Sequence, residues 1–232
     1  MASPIKKQFL AYGLALATAV QAHAALYSYS GSAYAIPDGN PNGAFSTIAV
    51  GSAPSSITHI GVNFNISGGY NGDLYGYLSY NGVLVTLLNR VGTGGGDAFG
   101  YGDAGFNVTL DDGAANGNIH NYQNVVNPNG GALTGTWSPD GGTLASFNGQ
   151  NPNGTWTLFF ADLSGGGGQA PLNGWSLDIT AVPEPVNVAL GVFAGLFVLG
   201  GLWRAGKIRR TPAPCPVPQV MVESVRKPYR RR

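Results

Sequence analysis

Cysteine and basic side chains are scarce in the central part of this 232-residue chain. Between Ala25 and Ala181 there is no cysteine, lysine or glutamate, and Arg90 is the one basic side chain. The same stretch carries nine aspartates and hence a net charge of −8, with His counted as neutral. A disulfide within this part is excluded. Nucleic-acid binding is disfavoured, because phosphate contacts need Lys or Arg.

Signatures of catalysis are missing as well. His59 and His120 are the two histidines of the central part, and the sequence contains neither G-x-S-x-G nor H-E-x-x-H. A Ser-His-Asp arrangement could still form from distant positions. Without a local motif, we predict that the protein is not an enzyme.

Short alternating runs replace any sustained helical periodicity in this part of the chain. Residues 60–66 alternate apolar side chains with Gly and Asn, as a half-buried strand does. Two extended runs, 73–80 and 83–89, flank Asn81-Gly82, a pair typical of a β-hairpin turn. Further alternation at 155–160 and 175–179 favours an all-β sandwich or barrel.

The tetrapeptide Asn-Pro-Asn-Gly occurs three times, at residues 40–43, 127–130 and 151–154. Pro fixes one φ, Asn tolerates the left-handed region and Gly closes a turn. The flanking residues differ, so we predict three independent turns rather than a structural repeat. Residues 92–105 and the glycines at 165–168 are predicted to form loops.

The N-terminus has the pattern of a secretory signal peptide, residues 1–24. Lys6 and Lys7 precede the apolar run 9–20, and small residues lead to a predicted cleavage between Ala24 and Ala25. The domain that follows, residues 25–181, is therefore predicted to be exported.

The C-terminal region predicts a second targeting element, residues 182–210. Its parts are Val182, Pro183, Glu184 and Pro185, the apolar run 186–203, and then Arg204, Arg209 and Arg210. An apolar helix of 18 residues is about 27 Å long, so 186–203 is predicted to be a transmembrane helix with its basic end in the cytoplasm. The Pro-rich, basic tail 211–232 is predicted to be disordered.

This order of Pro-Glu-Pro, apolar run and basic cluster resembles the bacterial PEP-CTERM sorting signal. The resemblance implies recognition by exosortase, a membrane peptidase. It also implies transient membrane anchoring, followed by delivery to the cell surface or the extracellular space.

The exported part resembles the P domain (P/Homo B), the β-sandwich that follows the catalytic domain of kexin- and furin-like proteases. The matching elements are Gly72-Asp73-Leu74, Gly96-Asp97, Leu110-Asp111-Asp112, the run 147–158 and Leu172-Asn173-Gly174-Trp175. The resemblance implies a jelly-roll-like β-sandwich, and some P domains carry calcium. No protease domain precedes the match in this chain, so a link to proteolysis would be by association.

Aspartate oxygens are hard ligands that suit Ca²⁺. The tentative ligands are Asp73, Asp97, Asp111 and Asp162, which lie at family positions or beside the glycine loop. A role in turns is the alternative explanation for such aspartates. Tyr75 and Tyr77 share a strand face, where they could stack on an exopolysaccharide or pack against a neighbouring strand.

Two functions therefore stay open. One is a structural or adhesive module of the cell envelope or biofilm matrix, with a calcium or polysaccharide ligand. The other is an accessory P domain that associates with a subtilisin-like serine endopeptidase.

Overall fold

Ten β-strands are the main secondary structure of the computed structural model, which describes residues 23–94, 97–183 and 185–208. Contacts divide the chain into two units, Met1–Leu190 and Gly191–Arg232. The strands all lie in the first unit: β1 (Ala25–Gly31), β2 (Tyr34–Ile36), β3 (Asn40–Val50), β4 (Ser56–Ser67), β5 (Leu74–Tyr80), β6 (Val83–Asn89), β7 (Gly105–Leu110), β8 (Leu133–Trp137), β9 (Gly154–Asp162) and β10 (Ala170–Val182).

The strands form two sheets. The six-stranded sheet has the order β1-β10-β4-β7-β8, with β2 also paired to β10, and the four-stranded sheet has the order β3-β9-β5-β6. All pairs are antiparallel except β7 with β8. Buried and exposed residues alternate along most strands, and the buried apolar side chains of both sheets form one core. The predicted all-β, β-sandwich-like fold is thereby confirmed.

Individual strand predictions also hold. Residues 60–66 lie in β4, where every second side chain is buried. The predicted hairpin is β5–β6, and its turn residues Asn81 and Gly82 have φ values of 47° and 78°. Two successive positive φ angles are what a two-residue type I′ turn requires, and Asn-Gly adopts them most easily.

Aromatic side chains fill the core at the end of the sandwich where β9 begins. Trp156 stacks on Tyr80, with ring centroids 4.0 Å apart, and Phe147 packs against Trp156 at 5.0 Å. The Trp156 indole N–H donates to the carbonyl of Pro152 at 2.9 Å. The polar atom of this buried side chain is therefore satisfied, and it holds the loop before β9 against the core.

The three Asn-Pro-Asn-Gly copies share one local interaction. In each copy the side-chain oxygen of the first Asn accepts from the backbone N–H two residues later, at 2.8–3.0 Å. Residues 40–43, however, belong to β3, where the pairing with β9 shifts register between Asn40 and Ala44. The prediction of a turn between strands is wrong for this copy, because the local Asx turn is accommodated as a bulge inside a strand.

One α-helix, α1 (Pro185–Ile208), follows β10. Pro185 occupies its first turn, a position that tolerates the missing N–H. Leu190, Phe193 and Phe197 of α1 have exposed fractions of 61%, 61% and 80%. Among the described residues, no helix combines the length and the hydropathy needed to cross a membrane. The predicted span 186–203 lies within α1, so the prediction of a helix is confirmed, whereas the prediction that this helix crosses a membrane is not. Side chains of α1 are described for residues 190–201.

Several targeting predictions lie outside the described residues. These are residues 1–22 of the signal peptide, Glu184, Arg209, Arg210 and the tail 211–232. Ala24 directly precedes β1, Val182 ends β10, and Arg204 is in α1.

Gly76 of β5 makes room for the Phe160 ring, which packs against Phe64 with ring centroids 5.2 Å apart. A Cβ at position 76 would overlap Phe160, whereas a Cβ at Gly51 would have no neighbour within 4 Å. We expect Gly76→Ala to lower the free energy of unfolding by about 1–3 kcal/mol, the usual cost of overpacking. Urea unfolding measures this cost, with Gly51→Ala as the control. Equal stability of the two variants would contradict the packing role of Gly76.

Candidate functional site

Two of the predicted calcium ligands, Asp73 and Asp162, come from neighbouring strand ends. Asp73 closes a 3-10 helix (Asn71–Asp73) directly before β5, and Asp162 is the last residue of β9. Asp162 lies opposite Leu74 in the β5–β9 pairing, and the N–H of Leu163 donates to the carbonyl of Asp73 at 2.9 Å. Strand pairing therefore holds the two carboxylates beside each other. We call Asp73 and Asp162 the carboxylate pair.

Asp162 is fully buried, and its two oxygens differ. Oδ1 accepts a hydrogen bond from the N–H of Ser164 at 3.1 Å. Oδ2 is buried and has no hydrogen-bond partner among the described residues. A buried carboxylate oxygen without a partner is costly, so this atom marks a place where a further group would stabilise the fold.

Asp73 is also buried, with 5% of its surface exposed. Burial raises the pKa of Asp73, and the negative charge of Asp162 raises it further. The Arg90 guanidinium lowers this pKa, and its N–H groups donate to the carbonyls of Gly72 and Ala98 at 3.2 and 3.1 Å. Burial also raises the pKa of Asp162. Ionisation of the carboxylate pair at neutral pH thus opposes folding.

Asp38 is a third carboxylate at this site, and the sequence did not single it out as a ligand. Its Oδ1 accepts from the N–H of Gly166 at 3.2 Å, and its charge contributes to the raised pKa values of Asp73 and Asp162. The pair Asp38-Gly39 resembled an ordinary turn, and more than 120 residues separate it from Asp162. Only the folded chain places this turn against the glycine loop.

A pocket of about 270 Å³ leads to Asp73. Ser164 and Gly165 form one wall, and the segment 99–102 with Tyr70 forms the rest of the lining. Solvent and small ions therefore have access to one member of the carboxylate pair.

The other two predicted ligands have different roles. Oδ1 of Asp97 accepts from the N–H groups of Phe99 and Gly100, both at 2.9 Å, and these bonds lower the pKa of Asp97. Asp111 accepts from the N–H of Gly113 at 2.8 Å, and its Oδ2 lies 2.9 Å from Nε2 of His59. Both aspartates thus serve the turn-forming role that was the alternative explanation.

The residues around the carboxylate pair supply only some of the ligands that a bound cation needs. Among the described residues, no three His, Cys, Asp or Glu side chains are arranged to hold a metal ion. Ca²⁺ takes six to eight oxygen ligands, and these include backbone carbonyls and water. A cation at the carboxylate pair would therefore draw its remaining ligands from neutral oxygens. The partnerless Oδ2 of Asp162 is the observation that favours such an ion.

Tyr75 and Tyr77 lie half-buried on the outer face of the four-stranded sheet. The Tyr77 ring stacks on Phe159 of β9 at 4.8 Å, and Tyr75 lies 6.2 Å from Tyr77. Phe45 pairs with Phe159 and is 68% exposed. We call Phe45, Phe159, Tyr77 and Tyr75 the aromatic strip. Within it, ring packing joins Tyr77 to Phe159 across two strands, and Phe45 at the end of the strip is exposed.

Comparison with models of protein families gave no match to this chain, and no curated protein matched it either.

His120 has acceptors on both sides of its ring. Nδ1 lies 3.0 Å from Oδ2 of Asp140, and Nε2 lies 2.9 Å from the carbonyl oxygen of Thr93. A neutral imidazole has one N–H, so donation to both acceptors requires the charged form. Burial lowers the pKa of His120, but the hydrogen bonds and the charge of Asp140 outweigh it and raise the pKa above its ordinary value.

The raised pKa of His120 predicts a pH dependence of stability. His120 contributes on the order of 1 kcal/mol to the free energy of unfolding. This contribution is complete below the pKa of about 6.5 that His120 has in the unfolded chain, and it is lost as the pH rises through the pKa that His120 has in the folded protein. Urea unfolding at a series of pH values should show this loss in the wild type and a flatter profile in His120→Gln. The same pH profile in both proteins would contradict the charged pairing with Asp140.

Proposed function

We propose that this protein is an exported, non-catalytic β-sandwich module of the bacterial cell surface or extracellular matrix, stabilised by a calcium ion at the carboxylate pair. The observation that carries the calcium proposal is Oδ2 of Asp162, which is buried and for which the described part of the chain supplies no hydrogen-bond partner. A divalent cation would supply the missing partner and offset the repulsion between Asp162 and Asp73.

Calcium fits this site better than a softer metal. The ionisable groups shown at this site are the carboxylates of Asp73, Asp162 and Asp38, and Ser164 and Gly165 line the pocket that leads to Asp73. Cysteine is absent from residues 25–181, and neither histidine contacts the carboxylate pair. Oxygen-only ligands suit hard cations such as Ca²⁺.

Export and sorting form the second part of the proposal. We infer that residues 1–24 are removed as a signal peptide and that exosortase recognises residues 182–210 at the membrane. The sequence carries this inference, and the exposed apolar side chains of α1 agree with it, since such side chains need a lipid or protein environment. The basic cluster of Arg204, Arg209 and Arg210, which begins in the last turns of α1, would orient the C-terminal end of this segment toward the cytoplasm.

The P-domain likeness and the jelly-roll description of the sandwich belong to the same proposal. Their support is the sequence run 147–158, which begins at the last residue of a 3-10 helix (Leu144–Phe147), continues through the loop that the Trp156 side chain holds by a hydrogen bond, and ends in the first half of β9.

A second candidate function is an accessory P domain that binds a subtilisin-like serine endopeptidase. The aromatic strip favours it, because exposed aromatic side chains are enriched where proteins dock. Co-purification of a subtilisin-like enzyme with the wild type, but not with a Phe45→Ser variant, would support this candidate over a matrix module.

The calcium proposal predicts a thermal shift. At a calcium concentration 100 times Kd, binding stabilises the folded state by about 2.7 kcal/mol, so the melting midpoint of the full chain in detergent should rise by about 5–10 °C relative to chelator. Asp162→Asn and Asp73→Asn should lose most of this rise. In chelator, Asp162→Asn should be at least as stable as the wild type, because it removes an uncompensated buried charge.

The matched controls are Asp97→Asn and Asp111→Asn, which change residues whose carboxylates hold turns. Both should keep the calcium-dependent rise, even if their midpoints are lower. The proposal is wrong if the wild type shows no rise, or if Asp162→Asn keeps it in full.

The sorting proposal predicts two cuts, which mass spectrometry of the surface protein measures. In a bacterium with exosortase, the mature chain should begin at Ala25 and end near Pro183–Pro185. In a strain without exosortase, it should retain residues 186–203. An intact C-terminal segment in both strains would indicate a stable anchor instead of a sorting signal.

A further inference from the structure

The outer face of the six-stranded sheet carries a groove of about 500 Å³ that is lined by hydroxyl and amide side chains. One ladder of paired residues crosses five strands of this sheet. From β1 to β8 the ladder consists of Ser30, Ser176, Asn63, Thr109 and Thr136. Strands lie about 4.8 Å apart, so this row extends roughly 19 Å.

A second row lies two residues away, about 7 Å along the strands. It contains Asn65, Asn107 and Thr134, which pair with one another across β4, β7 and β8. On the other side of the first row, Asp178 of β10 lies between Ser28 and Gly61. We call the first row, the second row and Asp178 the polar groove.

Hydrogen bonds hold part of this surface in place. The Thr109 hydroxyl donates to Oδ1 of Asn63 at 2.5 Å, and Nδ2 of Asn63 donates to Oδ2 of Asp178 at 2.8 Å. The space in the groove above Gly174 is free of other protein atoms, because a Cβ at Gly174 would meet no atom within 4 Å. A ligand would thus find fixed donors and acceptors, which lowers the entropy cost of binding.

The side chains of the polar groove limit which class of ligand it can bind. The lining has no Lys, Arg or His, so it offers nothing to pair with phosphate, sulfate or carboxylate groups. Phe64, Val108 and Trp175 contribute backbone to it, but their side chains are at least 96% buried and face the core. Among the described residues, no exposed aromatic or large aliphatic side chain lines the groove, so it lacks the anchors that the core of a protein interface uses.

We propose that the polar groove binds a neutral polysaccharide. Sugar hydroxyls both donate and accept hydrogen bonds, as do the Asn, Ser and Thr side chains of the two rows. An extended chain of several sugar units can follow a row across the strands. Polysaccharide binding would add a ligand to the proposed function, and it rests on that function because the protein must be outside the cell to meet the polysaccharide. It does not depend on the calcium ion.

Affinity electrophoresis tests the polar groove. The full chain, kept in a detergent without a sugar head group, is run through native gels that contain dextran, barley β-glucan or galactomannan, with alginate as the anionic comparison. We expect at least one neutral glycan, but not alginate, to slow migration. Asn63→Leu and Asn107→Ala should each weaken the apparent affinity by about five-fold or more, as expected for a lost hydrogen bond.

The control variant is Thr47→Val on β3, an exposed strand position on the opposite sheet. It is compared with Thr136→Val, an exposed Thr in the polar groove. Only the groove variant should bind more weakly. Thermal midpoints of all variants show whether they remain folded, and Asn107→Ala and Thr136→Val keep the test decisive if Asn63→Leu unfolds.

Three results would overturn the proposal. The first is migration that no neutral glycan slows, and the second is stronger retardation by alginate than by every neutral glycan. The third is retardation that survives all groove variants but is lost in Tyr77→Ala, which would move sugar binding to the aromatic strip. Correct export with no glycan binding would leave the proposed function standing without this ligand.

Discussion

Capture of backbone N–H groups by Asp and Asn side chains is the interaction on which the loops of this protein depend. Asp103 accepts from the Tyr122 hydroxyl and from the N–H of Gly130, at 2.7 and 2.8 Å. Asp112 accepts from the N–H groups of Leu144 and Ala145. Each joins segments far apart in sequence. With no cysteine and one arginine between residues 25 and 181, neither disulfides nor ion-pair networks can fasten these loops. Carboxylate-to-amide bonds are strong enough to replace them.

Asp178 in the polar groove and Asp162 in the carboxylate pair differ in how completely hydrogen bonds satisfy their carboxylate oxygens. Asp178 bonds to Ser28 and Asn63, so its charge is shared across a polar surface that stays complete without a ligand. Asp162 is buried and has one oxygen that no group of the described residues hydrogen-bonds. The first arrangement suits weak, multiple contacts with a neutral chain. The second suits a single strongly held ion, and it connects ligand binding to stability.

Local pattern predicted the strands well, because alternation and turn chemistry act over a few residues. The β5–β6 hairpin around Asn81-Gly82 is the clearest case. The local sequence pattern was misleading at residues 40–43, where the same Asx turn forms inside β3. Pairing with β9 decides whether such a turn connects two strands or forms a bulge within one. The sequence also pointed to Asp73 and Asp162. It could not show that Asp38 joins them or that Ser30 and Thr136 share a row, because both depend on strand order across the whole domain.

β10 lies between β1 and β4 in the six-stranded sheet, and Ala25 is paired with Ala181. The first and last strands of the sandwich are therefore neighbours, although about 150 residues separate them. Such long-range pairing makes closure of this sheet a late and slow folding step. Until β10 is in place, β1 has no strand partner and β4 lacks its partner on that side. A chain truncated before β10 would therefore expose the edge of β4 to other molecules.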